Sequence, residues 1–307
     1  MWIVEKSQSF VTRVRTKAYA RSEEWRNNPL NPKHVSLPAD DWVVVNEQLR
    51  REAASTGFEF NDFEVEIDDY NEFKRLTNVS SFYALGYRDK KILEHFIAHE
   101  LLGLKAGHVY LDVASEASPF PAVFRHIFGV VAYSQDLTYN PGVHGHRIGS
   151  DAAAIPLPDG TVDGVSLQCA FEHFEGDCDS RFIGEVSRLL RPGGACVIVP
   201  LYVGLAHLNI FDPVLHSGPF VQDANATMIG ELDLGGSFER IYSPAALERI
   251  IRPDLDVKYT LYRVRGVQQI NADRKHPVHR VRYALLIRKP HASNVSVSTR
   301  SERAASA

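Results

Sequence analysis

Apolar runs in the middle of the chain end in acids and small residues, which is the pattern of a ligand crevice. Val109-Tyr110-Leu111-Asp112-Val113 runs into Ala114-Ser115-Glu116-Ala117-Ser118-Pro119, so an apolar strand closes on an acid before a helix begins. Open α/β sheets bind ligands outside the carboxyl ends of their strands, and small residues there let the backbone approach a ligand. An ordinary strand-turn-helix explains the same segment. Asp136 ends the next apolar run, in Ser134-Gln135-Asp136-Leu137-Thr138. An ionised carboxylate accepts several hydrogen bonds and suits a ribose diol; a loop acid or a helix cap is the plainer alternative.

A third strand, Val162 to Gln168, leads into Cys169-Ala170-Phe171-Glu172-His173. An imidazole titrates near neutrality, so His173 is a candidate general base. Packing or capping of the loop accounts for it equally well. His144 and His146 are second candidates, with solvated loop histidines as the simpler reading. His95 and His99 are four apart on a helical pattern, a spacing that can hold a metal. Glu94 and Glu100 do not complete a zinc-protease order, and no metal site is expected. Cys169, Cys178 and Cys196 are odd in number and match no zinc spacing, which fits a reducing compartment.

Alternating strands and helices must position these residues. The pattern predicts helices over Asp40–Ala54, Arg88–Leu104, Pro119–Phe128 and Asp179–Leu190, and strands at Val109–Val113, Val130–Tyr133, Val162–Gln168 and Ala195–Leu201. Val257–Tyr262 and Val281–Ile287 read as closing strands, and Ser243-Pro244 as a helix cap and first turn. The acidic stretch Phe58–Tyr70 reads as an exposed strand or loop, and its charges as a solvated face. The expected fold is α/β, a doubly wound, Rossmann-like, mostly parallel sheet of about seven strands. The expected division is an N-terminal, partly helical extension over 1–104, a main domain over 105–290 with a lid-like insert at 203–242, and a disordered tail over 291–307.

Further motifs join these. Asp151-Ala152, the turn Pro156-Leu157-Pro158-Asp159-Gly160, Asp163, Glu172-His173 and Leu190-Arg191-Pro192-Gly193-Gly194 follow in order. In wording and order they resemble the class I S-adenosylmethionine-dependent methyltransferases of the type 11 branch, over about residues 107–202. The resemblance implies S-adenosyl-L-methionine as cofactor. It places Asp112, Ala114, Ser115 and Glu116 near the methionine part, Asp136 on the ribose, and Leu137 beside the adenine. Asp151 and Ala152 would meet the adenine edge, and Gln168 and Cys169 the sulfonium. The chain departs from the family in two places. Ala114 and Glu116 stand where a Gly-x-Gly turn is usual; alanine serves there with ordinary backbone angles, whereas Glu116 is a bulky anion. The stretch from Asp136 to Asp151 is also too short for the usual helix, and it reads as a loop.

Composition excludes several classes. The 307 residues carry 44% hydrophobic and 23% charged side chains, enough for a core without staples. A net charge of −4 argues against a nucleic-acid partner, and no Asn-Pro-Pro-Tyr type motif follows the fourth strand. The Gly-x-Gly-x-x-Gly fingerprint of nicotinamide enzymes is missing. No apolar run reaches the roughly 18 residues of a membrane span, and no signal peptide is expected, so the cytoplasm is the expected location. The expected activity is methyl transfer to a small molecule or glycan, at oxygen, with Phe211, Phe220 and Phe238 of the insert as candidate acceptor contacts. A relative that binds cofactor without catalysis is the alternative, favoured by Glu116. Self-association is left open.

Overall fold

The computed structural model describes residues 10–77, 88–116, 118–234, 236–271 and 281–291. Two short helices, α1 (Phe10–Ala20) and α2 (Glu23–Asn27), precede α3 (Trp42–Thr56). Asp41 caps α3 by accepting from the amides of Val43 and Val44, and Gly57 ends it at φ 81°. Then follow β1 (Glu59–Glu64), α4 (Ile67–Thr77), α5 (Arg88–Leu102), β2 (Val109–Val113), α6 (Phe120–Phe128), β3 (Val131–His144) and β4 (Arg147–Gly149). The chain continues through β5 (Val162–Gln168), α7 (Cys178–Leu189), β6 (Leu190–Val199), β7 (Leu208–Phe211), β8 (Thr227–Gly230), β9 (Phe238–Ile241), β10 (Lys258–Arg265), α8 (Val267–Asn271) and β11 (Tyr283–Arg288).

The main sheet has eight strands in the order β1-β10-β11-β6-β5-β2-β3-β4. It is mostly parallel, with β11 antiparallel to both neighbours. The period-two alternation of each strand feeds two cores. Leu111, Val165, Cys196 and Ile198 face α3 and α7, while Tyr110, Ala132, Val197 and Leu286 face α4, α5 and α6. Phe120 and Phe124 of α6 are fully buried, worth about 1.5–3 kcal/mol each. The α/β class and the doubly wound order agree with the sequence pattern. The count exceeds the expected seven because the acidic stretch is recruited as an edge strand. β1 pairs in parallel with β10, setting Asp62 against Arg263 and Glu64 against Arg265.

Between Asp136 and Asp151 there is no helix, as expected, but the segment is not a loop. β3 runs parallel to β4 through Asp136, then folds back so that Pro141–His144 pair with the same strand. Gly149 makes this crossing feasible: a Cβ there would lie 2.0 Å from the Asn140 carbonyl oxygen. The helix expected after Ser243 is a short 3-10 turn, Ala245–Arg249, whose Ala246 amide donates to Ser243 Oγ at 3.2 Å. Of the tail expected to be disordered, all but His291 lies outside the described residues. Among the described residues no helix is long and apolar enough to cross a membrane.

The 203–242 insert forms a second sheet, β8-β7-β9. An ion cluster fastens it to the main domain. Arg240 of β9 is 0% exposed, binds Asp223 at 2.6 Å and Asp179 of α7 at 3.2 Å, and donates to the carbonyls of Phe174 and Gly176. Arg249 adds a second cation to both acids, and Tyr242 Oη donates to Asp179 at 2.8 Å. Burial works against the Asp223 carboxylate, but the hydrogen bonds from His207, Arg240 and Asn209 hold it well below its ordinary range. The N-terminal segment closes over this sheet, where the Gly230 amide donates to the Leu30 carbonyl at 2.6 Å.

His95 stacks on Phe120 with ring centres 4.0 Å apart, and His99 on Phe128 at 4.4 Å. They serve the core between α5 and α6, and no group of three ligands gathers among the described residues. Burial pushes both imidazoles below their ordinary value. The unfolded chain therefore takes up protons that the folded chain refuses. Unfolding free energy is expected to fall as pH drops below about 6.5, and replacing both histidines by Phe to flatten that slope; an unchanged slope in urea titrations across this range refutes the assignment. Arg240→Met strips two buried acids of their principal cation, and is expected to cost about 3–5 kcal/mol in urea unfolding. A loss under about 1 kcal/mol, the scale of a surface pair, rules out the cluster as the fastening.

Candidate active site

The strand order reverses between β2 and β5, with β3 on one side of β2 and β5 on the other. Such a switch point opens a crevice at the carboxyl ends of the strands. The ends of β2, β3 and β5 bring Ala114, Ser115, Glu116, Asp136, Gln168 and Cys169 to its border.

The turn after β2 keeps a glycine-like trace without glycine. Ala114 sits at φ 52° and Glu116 at φ 43°. Ala114 thus lacks the ordinary angles on which its fitness for such a turn was conditional. The left-handed conformation costs an L-residue about 1–2 kcal/mol, and it persists only where the surroundings enforce it. Here the Ala114 amide donates to Gln135 Oε1 at 3.2 Å and the Ser115 amide to the Gln135 carbonyl at 2.8 Å. The Glu116 amide donates to Asp136 Oδ2 at 2.8 Å, and Tyr139 Oη donates to the Glu116 carbonyl. Asp112 braces the turn from beneath. It is 0% exposed and accepts from Ser115 Oγ at 2.8 Å, Tyr110 Oη at 3.1 Å and Ser166 Oγ at 3.3 Å. Burial pushes its carboxyl up. This acid holds other residues of the crevice rather than facing it.

Asp136 does border the crevice, already engaged. Oδ1 accepts from the Thr138 amide at 2.8 Å and from Thr138 Oγ1 at 2.7 Å, and Oδ2 from Glu116. A carboxylate offers about four acceptor positions, so about one is left for a ribose hydroxyl. Leu137 beside it is 76% exposed, an apolar surface for a purine to cover. Asp151 is exposed, accepts from the Ala153 amide at 2.9 Å and pairs with Arg181 at 3.2 Å; Ala152 is half-buried. A hairpin stands here in place of a helix, and Leu137 and Asp151 beside it are exposed. The residues present therefore fit a nucleoside-bearing cofactor: a left-handed backbone turn, a carboxylate with about one acceptor position left and an uncovered apolar side chain follow one another along the same edge.

At the β5 end, Cys169 also adopts a left-handed backbone, φ 49°. Its thiol donates to Glu94 Oε1 at 3.1 Å, and Gln168 Nε2 donates to Ser166 Oγ at 2.7 Å. Lys91 binds Glu94 at 2.8 Å and reaches the Gln168 carbonyl at 3.5 Å. Burial works against its ammonium, but Glu94 and Cys169 hold it above its ordinary value. Burial likewise raises the Tyr202 phenol, helped by Cys169, Glu172 and Glu94. The sequence reading missed Lys91 and Glu94 as site residues. Their i, i+3 spacing was the available signal.

His173 lies in the 3-10 turn Phe171–His173. Its Nδ1 is 2.6 Å from the Phe238 carbonyl of β9, and its Nε2 is 3.6 Å from Glu172 Oε1. Burial lowers its pKa. His144 and His146 lie on the β3–β4 hairpin at the outer edge of the sheet, His144 Nε2 at 2.9 Å from the Pro141 carbonyl. Phe211 packs on Phe220 and Phe238, with ring centres 4.6 and 5.1 Å apart; Phe211 and Phe238 are buried, whereas Phe220 is 40% exposed.

If the bonds to Gln135 and Asp136 enforce the strain, Glu116→Gly keeps the trace and removes the penalty. Thermal and urea unfolding are expected to show a gain of about 1 kcal/mol. A loss of stability would mean that the Glu116 side chain, not its backbone, holds the turn.

Residues 128–198 match the family model of a methyltransferase domain. No curated protein matches the sequence. Among solved structures, an Anabaena variabilis protein from an antibiotic biosynthesis pathway is 24% identical, with a TM-score of 0.30, over 35% of this chain and 44% of its own. The chain thus spans under half the length of that relative. The 1,6-didemethyltoxoflavin-N1-methyltransferase of Burkholderia thailandensis, solved with S-adenosylhomocysteine, is 17% identical over 83% of this chain and 93% of its own, with a TM-score of 0.40. The [4+2]-cyclase SpnF is 17% identical over 64% and 80%, with a TM-score of 0.36. At these scores the structural likenesses carry no argument about what this chain binds. The matched segment runs from the end of α6 through β6 and takes in β3, β4 and β5, so residues 128–198 of this chain are similar to a methyltransferase domain.

Proposed function

We propose that the chain transfers a methyl group from S-adenosylmethionine to an oxygen of a small molecule or glycan, with His173 as the proton acceptor. The observation that carries the choice of base is the His173 ring. A carbonyl oxygen only accepts, so Nδ1 must donate to Phe238, which leaves Nε2 as the unprotonated nitrogen of the neutral imidazole. Burial keeps the ring neutral at pH 7. The cofactor supplies an electrophilic methyl on a sulfonium, and the protein's share is alignment and proton removal. As the acceptor oxygen gains the methyl, its proton passes to Nε2, and Glu172 at 3.6 Å offsets the imidazolium charge. Asp136 and the Ala114–Glu116 turn hold the nucleoside and methionine ends; Leu137, Asp151 and Ala152 take the adenine, and Gln168 and Cys169 the sulfonium side. The domain division 1–104, 105–290 and 291–307 and a reducing, cytoplasmic setting belong to the same reading.

A cofactor-binding relative without turnover is the second reading. The Glu116 amide on Asp136 favours it, because that bond occupies the acid meant for the ribose.

Titration with S-adenosylhomocysteine separates the two. Binding is expected for the wild type, with a loss of about tenfold or more in Asp136→Ala. His173→Gln is expected to keep that affinity while lowering turnover in an acceptor screen by about 10²–10⁴. Binding without turnover on any acceptor supports the second reading, and no binding at millimolar ligand ends both.

A further inference from the structure

A cavity away from the methyl-transfer crevice lies on the same edge of the sheet. It has a volume of about 540 Å³ and opens where β1, β10 and β11 meet, within the 300–1,000 Å³ range of small-molecule sites. β10 is parallel to β2 and β5, so Val264 and Arg265 end on the same carboxyl edge as the methyl-transfer crevice. The strands β10 and β2 that carry the two openings are separated by β11, β6 and β5, four inter-strand spacings or roughly 19 Å at ~4.8 Å each.

The lining is polar and cationic. Arg263, Arg265 and Arg282 stand against a single lining acid, Glu64. Arg263 spends its charge on Asp62 through two bonds of 2.7 and 2.6 Å. Arg265 is shared between Asp62 at 3.1 Å and Glu64 at 3.4 Å. Arg282 differs: its guanidinium lies over the Trp42 ring at 3.9 Å, and no carboxylate is within ion-pair distance of it among the described residues. Stacking fixes the plane of the guanidinium while leaving its N–H edge for an acceptor. Asn46 is held by Tyr283 Oη at 3.0 Å, and Gln269 stands on α8 at the rim. Uncancelled positive charge, a preset guanidinium and neighbouring amides suit a phosphate with hydroxyls attached.

We propose that this cavity holds the phosphate end of an elongated, hydroxyl-rich acceptor, a sugar phosphate in chemical class, whose far end reaches the methyl-transfer crevice. The link to the acceptor rests on the methyl-transfer reading; the phosphate site itself does not. Arg282 is the principal phosphate contact, Arg265 the second, and Asn46 and Gln269 meet hydroxyls.

The test is calorimetric titration of the full chain with glucose 1-phosphate, with glucose and inorganic phosphate as separate arms. Glucose 1-phosphate is expected to bind and glucose alone not, with affinity falling as salt rises. Arg282→Gln is expected to weaken binding about tenfold. Because that variant also loses the Trp42 stack, Gln269→Glu provides an exposed second probe; it adds an anion at the rim and is expected to weaken binding while leaving the thermal transition unmoved. Absence of glucose 1-phosphate binding to the wild type, or wild-type affinity in both variants, overturns the proposal. Parallel S-adenosylhomocysteine titrations are expected to be unchanged in both variants. Their failure alongside intact phosphate binding removes the methyl-transfer reading and the acceptor link while leaving the phosphate site.

Discussion

The buried pairing of Arg240 with Asp179 and Asp223 is the interaction on which the upper half of the molecule depends. The three side chains come from β9, α7 and the loop before β8, elements with no shared hydrogen-bond ladder. Two cations and two acids close without net charge, because Arg249 joins from the 3-10 turn. A buried ion cluster gains little over well-packed apolar groups, but removing one partner is costly. The arrangement therefore acts as a register pin. It sets β9 over the 3-10 turn, and so delivers the Phe238 carbonyl to His173. The position of the candidate base follows from a lock formed two residues along β9 from Phe238 and six residues beyond His173.

A second constraint runs through the β2 turn. Ala114 and Glu116 hold a conformation that glycine adopts freely, and the bonds that enforce it come from Gln135 and Asp136. Turn shape and acid occupancy are thus one and the same. A ligand hydroxyl on the remaining acceptor position of Asp136 would share that carboxylate with the Glu116 amide, so the turn and the ligand would meet at one acid.

Most of the central sheet was legible because its strands and helices obey simple periods. Val162–Gln168 matches β5 to the residue, and Gly103 stops α5 at φ 57°. What escaped depended on partners far away in sequence. The acidic stretch at Glu59–Glu64 is an exposed strand, one of the two forms its pattern allowed, but its pairing with β10 escaped because the arginines that meet it lie some two hundred residues later. The insert looked irregular because its strands are four residues each, and its stability comes from Arg240 and from the N-terminal segment rather than from its own pattern. In the site, Asp112 was correctly placed at a strand end, yet three hydroxyls turn it inward. No spacing rule announces that. The Lys91–Glu94 pair was visible as a helical couple, but its approach to Cys169 needs the folded sheet.

The rims of the sheet carry a consequence for how the molecule meets its own copies. An open strand edge is a template for another chain, and natural sheets blunt it with charge or brevity. One rim here is β4, three residues long and already folded against the returning arm of β3. The other is β1, which presents Glu59, Asp62 and Glu64. Two copies brought rim to rim would set acid against acid, with the neutralising arginines on the inner strand. Among the described residues, the acidic stretch thus sets charge along the outer edge of the sheet, the device by which open edges resist pairing with a second copy.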